Sequence, residues 1–388
     1  MIYLDHNATS PLRESAKAAM LMALDDVGNA SSVHAAGRTA RARIDKARER
    51  VAELVASASS SVIFTSGGSE ANAMALKGAV VGALAAEDRL TRLFISAIEH
   101  ESVRACALAL SESVPGLKLN EIPVSKDGAL DLEALRLQLM QGRGRVLVSV
   151  MAVNNETGVV QDLDGVSRIV RAEGGEGALL HVDAVQAVGR LPLSFDALGS
   201  DYMTVSAHKL GGPQGAGALI VRDGAPLAPL VEGGGQELGR RSGTENVAAI
   251  SGFGAAAIEA ADFENEMRRL AALRDRFESD LARLASDVVI FGARRPRVAN
   301  TSNFAIPGLA AETALIALDL DGVAVSSGSA CSSGKVKPSH VLAAMGVDQS
   351  LARSGLRVSF GWTSREEDVD AVLVSLRRLI ERRAAMAA

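Results

Sequence analysis

Two segments place reactive side chains where glycine and serine let a ligand approach. The first is Ser206-Ala207-His208-Lys209, a strand end that runs into Gly211-Gly212-Pro213. An amine is costly to bury unless it is neutralised, paired or covalently used. A lysine at a strand end suits Schiff-base chemistry, because burial lowers an amine's pKa and frees its lone pair. A solvent-facing loop lysine is the plain alternative. The second segment is Ser326-Ser327-Gly328-Ser329-Ala330-Cys331-Ser332-Ser333-Gly334. Free cysteines usually sit inside proteins as small apolar groups. One in a run of Ser and Gly has no place in a core element. It has the setting of a reactive thiol on a polar loop that reaches a substrate and then carries a product outward. Cys106, in the Ala- and Leu-rich stretch Val103–Leu110, has the opposite setting and reads as structural.

Other segments carry polar residues at strand ends. Ser66-Gly67-Gly68-Ser69-Glu70 follows the apolar run Val62–Thr65 and opens the helical run Ala71–Val81. A helix N-terminus entered through glycines offers bare N–H groups and a positive dipole end to a phosphate; a simple N-cap by Ser69 is the competing reading. No Lys-Ser/Thr follows, so this is not a Walker loop. Ala178–Gln186 delivers Asp183 at the end of a buried strand, with Gln186 about one turn on. The acid could pair with a cationic ring nitrogen and the amide could donate to a ring oxygen, or Asp183 could cap the next helix. His181 reads as inward-facing and supporting. His100 follows a strand directly, where it is either structural or set to face a bound ring. Asn154-Asn155-Glu156-Thr157-Gly158 also follows a strand. Arg240-Arg241-Ser242-Gly243-Thr244-Glu245-Asn246 has residues suited to phosphate or carboxylate.

These residues need a scaffold, and the apolar pattern describes one. Candidate strands are Val62–Thr65, Leu93–Ala97, Val146–Val153, Ala178–Val182, Tyr202–Val205 and Ala218–Val221, with helical periodicity between most of them. Such alternation predicts an α/β fold with a mostly parallel sheet covered by helices on both faces, which binds ligands at the carboxyl ends of its strands. The texture changes near Ala257. Phe263, Met267, Leu270, Leu273, Phe277, Leu281 and Leu284 mark one long amphipathic helix. Strand-like pieces Ser302–Ile306, Val323–Ser326 and Leu356–Phe360 then indicate a smaller α+β unit. A chain of 388 residues exceeds one ordinary core. The expected division is a large domain at 15–257 and a small domain of 1–14 and 258–388, which carries the cysteine loop at about 326–337. Charges at Arg38, Arg41, Arg43, Lys46, Arg48 and Arg50 read as the solvated face of a helix whose apolar stripe is Ile44, Ala47, Val51 and Leu54.

In this order, the segments resemble the class V branch of the fold-type I pyridoxal-phosphate enzymes, and within it the NifS/IscS-type cysteine desulfurases. The similarity runs from Tyr3-Leu4-Asp5-His6-Asn7-Ala8-Thr9 to Leu356-Arg357-Val358-Ser359-Phe360-Gly361. Its most specific pieces are Ser206–Lys209 and Ser327–Cys331. The second differs from the Arg-x-Gly-His-His-Cys setting of a related branch. The resemblance implies an aspartate-aminotransferase-like fold with pyridoxal 5'-phosphate as cofactor. It implies that sulfur is taken from L-cysteine and held as a persulfide on Cys331 while alanine is released. Lys209 would hold the cofactor as a Schiff base and Asp183 its pyridine nitrogen. Gln186 would bond its phenolic oxygen, with His100 over the ring as a proton carrier. Ser69, Ser206, His208 and the backbone N–H groups of Gly68 and Ser69 would hold the phosphate, and Asn155 would contact cofactor or substrate. Arg357 would clamp the substrate carboxylate. Thr244 would reach the phosphate of a neighbouring subunit, which implies a homodimer with shared sites. No resident metal is implied, beyond transient contact of Cys331 with an iron–sulfur cluster on a partner.

Ala30 stands where the family often has Pro, Ser69 where Thr is usual, and Ala73 where Asn is frequent. The chain ends at Glu381–Ala388 without the longer tail by which some relatives dock a scaffold, so the acceptor stays open: iron–sulfur assembly, a nitrogenase system, or tRNA or cofactor thiolation. The formal net charge of −5 gives no footprint for nucleic acid. Two cysteines in such a chain make no disulfide framework. The N-terminus lacks a signal-peptide layout and no apolar run spans a membrane, so a cytoplasmic protein is expected. Competing readings are an aminotransferase, a selenocysteine lyase, a non-catalytic sulfur- or scaffold-binding module and, weakest, a nucleotide binder.

Overall fold

The computed structural model describes residues 1–327 and 339–387, with side chains through Arg383; Cys331 and its flanking glycines and serines lie outside the described residues. Among the described residues the strands in chain order are β1 (Ile2–Tyr3), β2 (Val62–Thr65), β3 (Leu90–Ser96), β4 (Lys118–Ile122), β5 (Arg145–Met151), β6 (Leu179–Asp183), β7 (Tyr202–Ser206), β8 (Gly217–Val221), β9 (Val289–Ile290), β10 (Thr301–Ala305), β11 (Val323–Ala324), β12 (Ser326–Ser327) and β13 (Gly355–Ser359).

Strands β2 to β8 form one sheet in the order β2-β8-β7-β6-β5-β3-β4. The pairings from β7 through β4 are parallel, and β8 runs antiparallel to both of its neighbours. Successive side chains of a strand face opposite ways, so a sheet covered on both sides needs two cores. Val146, Val148 and Val150 belong to one core, with Ile44, Val51 and Phe253 from the helices Ala35–Leu54 and Val247–Ala261. Leu147 faces the other core, with Met74, Leu76, Val103 and Leu110 from the helices Gly68–Ala85 and Glu101–Ser113. Strand order reverses direction between β3 and β5, which opens a crevice at their carboxyl ends.

A second sheet, β12-β13-β10-β9, is antiparallel, and β1 pairs in parallel with β11. Its core is a separate cluster built around Phe277, Phe304 and Phe360, with ring centroids 5.5 and 6.3 Å from Phe277. The long helix Phe263–Leu284 buries Met267, Leu270, Leu273, Phe277 and Leu281, as the period predicts. Cys106 is buried on its helix.

One sequence expectation needs correction. Arg48 is not on the solvated face. It forms a two-pronged pair with the buried Glu237, at 2.7 and 2.8 Å, and its guanidinium lies 4.9 Å from the centre of the Phe64 ring. Arg48 sits one turn after Ile44, on the edge of the apolar stripe, where its stem packs inward and its head finds a carboxylate.

The first ten residues join the two sheets. Asp5 bridges to Ser359 beside β13, and the backbone N–H of Ser10 donates to the His208 carbonyl past the end of β7. This segment passes so close to Gly361 that a Cβ there would lie 1.9 Å from the ring of His6, which is buried. Gly361→Ala should therefore displace His6 and the strap around it. Overpacking of this kind costs about 1–3 kcal/mol. Thermal unfolding should show a lowered midpoint, and an unchanged midpoint would mean that the strap yields freely.

Candidate active site

A cleft of about 280 Å³ opens at the carboxyl ends of the parallel strands. The ends of β3, β5, β6 and β7 deliver polar groups. His100 comes after β3, Asn155 after β5, Asp183 from the last position of β6, and Ser206, His208 and Lys209 from the end of β7 and the single helical turn Ala207–Lys209. Gly68 and Ser69 enter from the start of the helix Gly68–Ala85, Gln186 from the turn after β6, and Arg357 from the middle of β13. All of these sequence-singled residues line one cleft. Thr244 does not; it is exposed on the segment 240–246, which ion pairs Arg241–Glu70 (2.9 Å) and Arg41–Glu245 (3.9 Å) hold against the large sheet's helices.

The Lys209 ammonium donates to the backbone carbonyls of Asn7 (2.5 Å) and Ala8 (2.7 Å). Beside it, Asp183 is buried and accepts from the Val185 N–H through Oδ1 (3.0 Å) and from the Asn72 amide through Oδ2 (2.8 Å). Asp183 thus closes a turn and not the next helix, which starts at Phe195 with Ser194 as its cap, and it remains on the cleft wall. Gln186 donates to the Asn7 carbonyl (3.0 Å), and its amide oxygen takes an N–H from Arg190. That contact orients the amide so that its NH2 stays available on the other side. Burial pulls Arg190 down to about 10. His181 is sealed beneath β6, between Ser149 (2.8 Å) and Thr204 (3.1 Å), and burial lowers it to about 4, a supporting place.

At the phosphate-type corner, the helix Gly68–Ala85 is capped by Gly67 with no side-chain cap bond, so the Ser69-cap alternative falls. The first-turn N–H groups are left for another acceptor. Across from them Ser206 Oγ is buried and has no hydrogen-bond partner among the described residues. A Cβ on Gly68 would come 3.0 Å from Val185 Cγ2 and 3.4 Å from Ser206 Cβ, so a larger residue would crowd this corner. Burial and neighbouring Lys209 hold His208 low, at about 4, with Nδ1 3.2 Å from Thr9 Oγ1. Arg357, on the same cleft, is buried. It donates to the Asn155 carbonyl (3.0 Å) and Asp5 (2.7 Å), and its Nε has no partner among the described residues. A guanidinium edge with a bare N–H is a ready seat for a carboxylate. The groups lining the cleft thus suit a phosphate, a cationic ring nitrogen and an amino-acid carboxylate. The donor set fits pyridoxal phosphate.

Sequence reading missed Asn7, Ala8, Asn72 and Ser102, all of which line the cleft. Asn7 lies inside the motif Tyr3–Thr9, a signal that was on the page. Ser102 is the second residue of its helix and Asn72 the fifth of its own, near helix starts where polar residues are ordinary and give no specific sign. Ala73 stands where the family often has Asn, and Asn72 makes polar contacts from the preceding position. Among the described residues no cluster of acids, histidines and cysteines could hold a metal, and no helix is long and apolar enough to cross a membrane.

Glu156, next to Asn155, is buried and accepts from Ser339 Oγ at 2.5 Å. Burial pushes its carboxyl up to about 7, against the pull of Ser339 and Arg357. A raised folded-state pKa means that the folded chain holds the proton longer than the unfolded chain, so stability falls as pH rises from about 4.5 to about 7 and is level beyond. Glu156→Gln removes this fall. Denaturant titrations should show the variant gaining on the parent between pH 5 and 7.5 by up to about 3 kcal/mol. A pH-independent difference would place the proton elsewhere.

Comparison with known proteins adds the following. The family model described as Aminotransferase class-V matches residues 2–372. An IscS-like cysteine desulfurase of Mycobacterium tuberculosis is 43% identical, covering 100% of this chain and 99% of its own. The cysteine desulfurase IscS of Dictyoglomus turgidum is 40% identical, over 98% of this chain and 95% of its own. A solved NifS-like protein from Rickettsia africae superposes with a TM-score of 0.88 at 35% identity, over 98% of this chain and 99% of that one.

Proposed function

The chain belongs to the class-V aminotransferase family, and from that premise we propose that it works as a NifS/IscS-type, pyridoxal-phosphate-dependent cysteine desulfurase, with Lys209 and Cys331 as its two reacting side chains. The observation that carries the reading is the convergence of Lys209, Asp183, His100 and Arg357 on one cleft whose lining suits a phosphate and a carboxylate.

When bound, pyridoxal phosphate supplies an electron sink that takes up negative charge from the substrate's α-carbon. The chain's residues do the rest. Ser69, Ser206, His208 and the N–H groups of Gly68 and Ser69 would hold the phosphate, Asp183 the ring nitrogen and Gln186 the phenolic oxygen. Lys209 would hold the cofactor covalently between turnovers and, as a free amine, take the substrate's α-proton. Arg357 would fix the L-cysteine carboxylate, beside Asn155. His100 would hold or move a proton at the thiols. The Cys331 thiolate would attack the substrate's sulfur, an S–S bond forming as the C–S bond breaks, and the carbon side would leave as alanine after gaining a proton. The persulfide would pass to an acceptor thiol by exchange, on an iron–sulfur scaffold or a similar protein.

Several parts of the proposal lie further from the cleft. The division into lobes at 15–257 and at 1–14 with 258–388 draws support from the separate apolar cores. A homodimer that brings Thr244 to a neighbour's phosphate is supported by the exposure of Thr244 on a firmly tied segment. A cytoplasmic site of action completes it. An aminotransferase needs no thiol, and the Ser/Gly setting of Cys331 disfavours it.

Lys209→Ala should abolish both the visible absorbance of the lysine-held cofactor and alanine release from L-cysteine. Cys331→Ala should keep the absorbance and lose nearly all sulfide release. Normal sulfide turnover by Cys331→Ala would remove Cys331 from the reaction.

A further inference from the structure

His100 does not stand alone at the cleft. Asp183 Oδ2 accepts from Asn72 Nδ2 at 2.8 Å, and the same nitrogen donates to Ser102 Oγ at 2.9 Å. Ser102 Oγ lies 2.8 Å from His100 Nδ1, and the Ser102 backbone N–H donates to that same ring nitrogen at 3.2 Å, capping the helix Glu101–Ser113. The direction of every bond follows from the chemistry of the groups. A carboxylate oxygen only accepts, so Asn72 must turn its NH2 toward Asp183. The structure keeps this orientation although it leaves Asn72 Oδ1 buried without a partner among the described residues. The Ser102 backbone N–H can only donate, so it already makes Nδ1 an acceptor; Ser102 Oγ, which receives an N–H from Asn72, then sends its own proton to the same nitrogen. Nδ1 is thus asked twice to accept, and a ring nitrogen that accepts carries no proton.

We propose that Asn72 and Ser102 are positioning residues that fix His100 in the neutral tautomer with its proton on Nε2, so that it meets the substrate as a hydrogen-bond and proton donor and not as a base. To take a proton at Nε2 the ring would first have to move one onto Nδ1, against both donors. One amide therefore couples the acid that faces the ring nitrogen to the histidine on the opposite wall. Other charged groups near the ring are Glu156 from the turn after β5, His340 from the helix His340–Ala344, and Glu101 on its own helix. Ser102 meets Nδ1 with both its hydroxyl and its backbone N–H.

The inference deepens the desulfurase reading and rests on it for its catalytic meaning, but its test does not require turnover. Holoenzyme carrying 15N-histidine, without substrate, gives long-range proton–nitrogen correlations for each of the six histidines, and His100→Gln identifies the ring in question. The parent should show the proton on Nε2 and a bare Nδ1. Ser102→Thr, which keeps the hydroxyl, should preserve that pattern. Ser102→Asp offers an acceptor only, so the bare-Nδ1 signal should disappear as Nδ1 gains a proton. Asn72→Leu leaves the serine hydroxyl free to accept, and both tautomers should appear. A parent spectrum with the proton on Nδ1, or an unchanged pattern in both Ser102→Asp and Asn72→Leu, overturns the proposal whether or not L-cysteine is turned over.

Discussion

The site depends on how a partly buried ammonium is satisfied. Lys209 stands just beyond β7, and its hydrogen bonds to the Asn7 and Ala8 carbonyls come from the opposite end of the chain. A cation out of water needs such partners. The lysine therefore takes its place only when the first ten residues have crossed from β13 to the end of β7. Asn7 makes that crossing rigid. Its amide donates to Asn155 O (3.1 Å) and Thr301 Oγ1 (2.9 Å), its side-chain oxygen accepts from Asn300 (3.0 Å), and its carbonyl also receives Gln186 (3.0 Å). One residue thus ties the lysine, a wall of the cleft and the second sheet together.

The same logic runs through the charges. Most of the cleft's buried ionic groups have a hydrogen-bonded partner, and the atoms left over mark where a ligand would complete the set. Ser206 Oγ and Arg357 Nε are buried without partners among the described residues, and both residues line one cleft. Unsatisfied buried polar atoms are costly, and a bound phosphate or carboxylate would supply acceptors there. Glu99 extends the pattern below the floor. Burial and the charge of Asp183 hold its carboxyl well above the usual range, while Oε1 takes the Met151 N–H at 2.6 Å.

Much of this was legible in the chain. The apolar runs placed β2, β6, β7 and β8 within a residue or so, because each of these strands is buried along its whole length and reads as a continuous apolar segment whether its pairing is parallel or antiparallel. Strand β4, Lys-Leu-Asn-Glu-Ile, escaped notice because it lies at the sheet's edge and buries little besides Ile122. Strand β1 is two residues long and exists only through its pairing with β11. Among site residues, those announced by a strand end or a glycine turn were found. Asn72 and Ser102 were not: Asn72 acts through contacts 30 and 111 residues away, and Ser102, though beside His100 in the chain, reads locally as a first-turn serine of its helix. Arg48 was misread for a related reason: the carboxylate that turns it inward, Glu237, is 189 residues further on.

The central claim is that one amine and one thiol serve the same bound substrate. It is tested most directly by a single turnover of purified holoenzyme with L-cysteine and no acceptor, followed by alanine quantification and peptide mass mapping. The account predicts one alanine per sulfur atom gained, with the added sulfur on the peptide that contains Cys331. Alanine formed without sulfur on that peptide, or a keto acid formed in place of alanine, would contradict it.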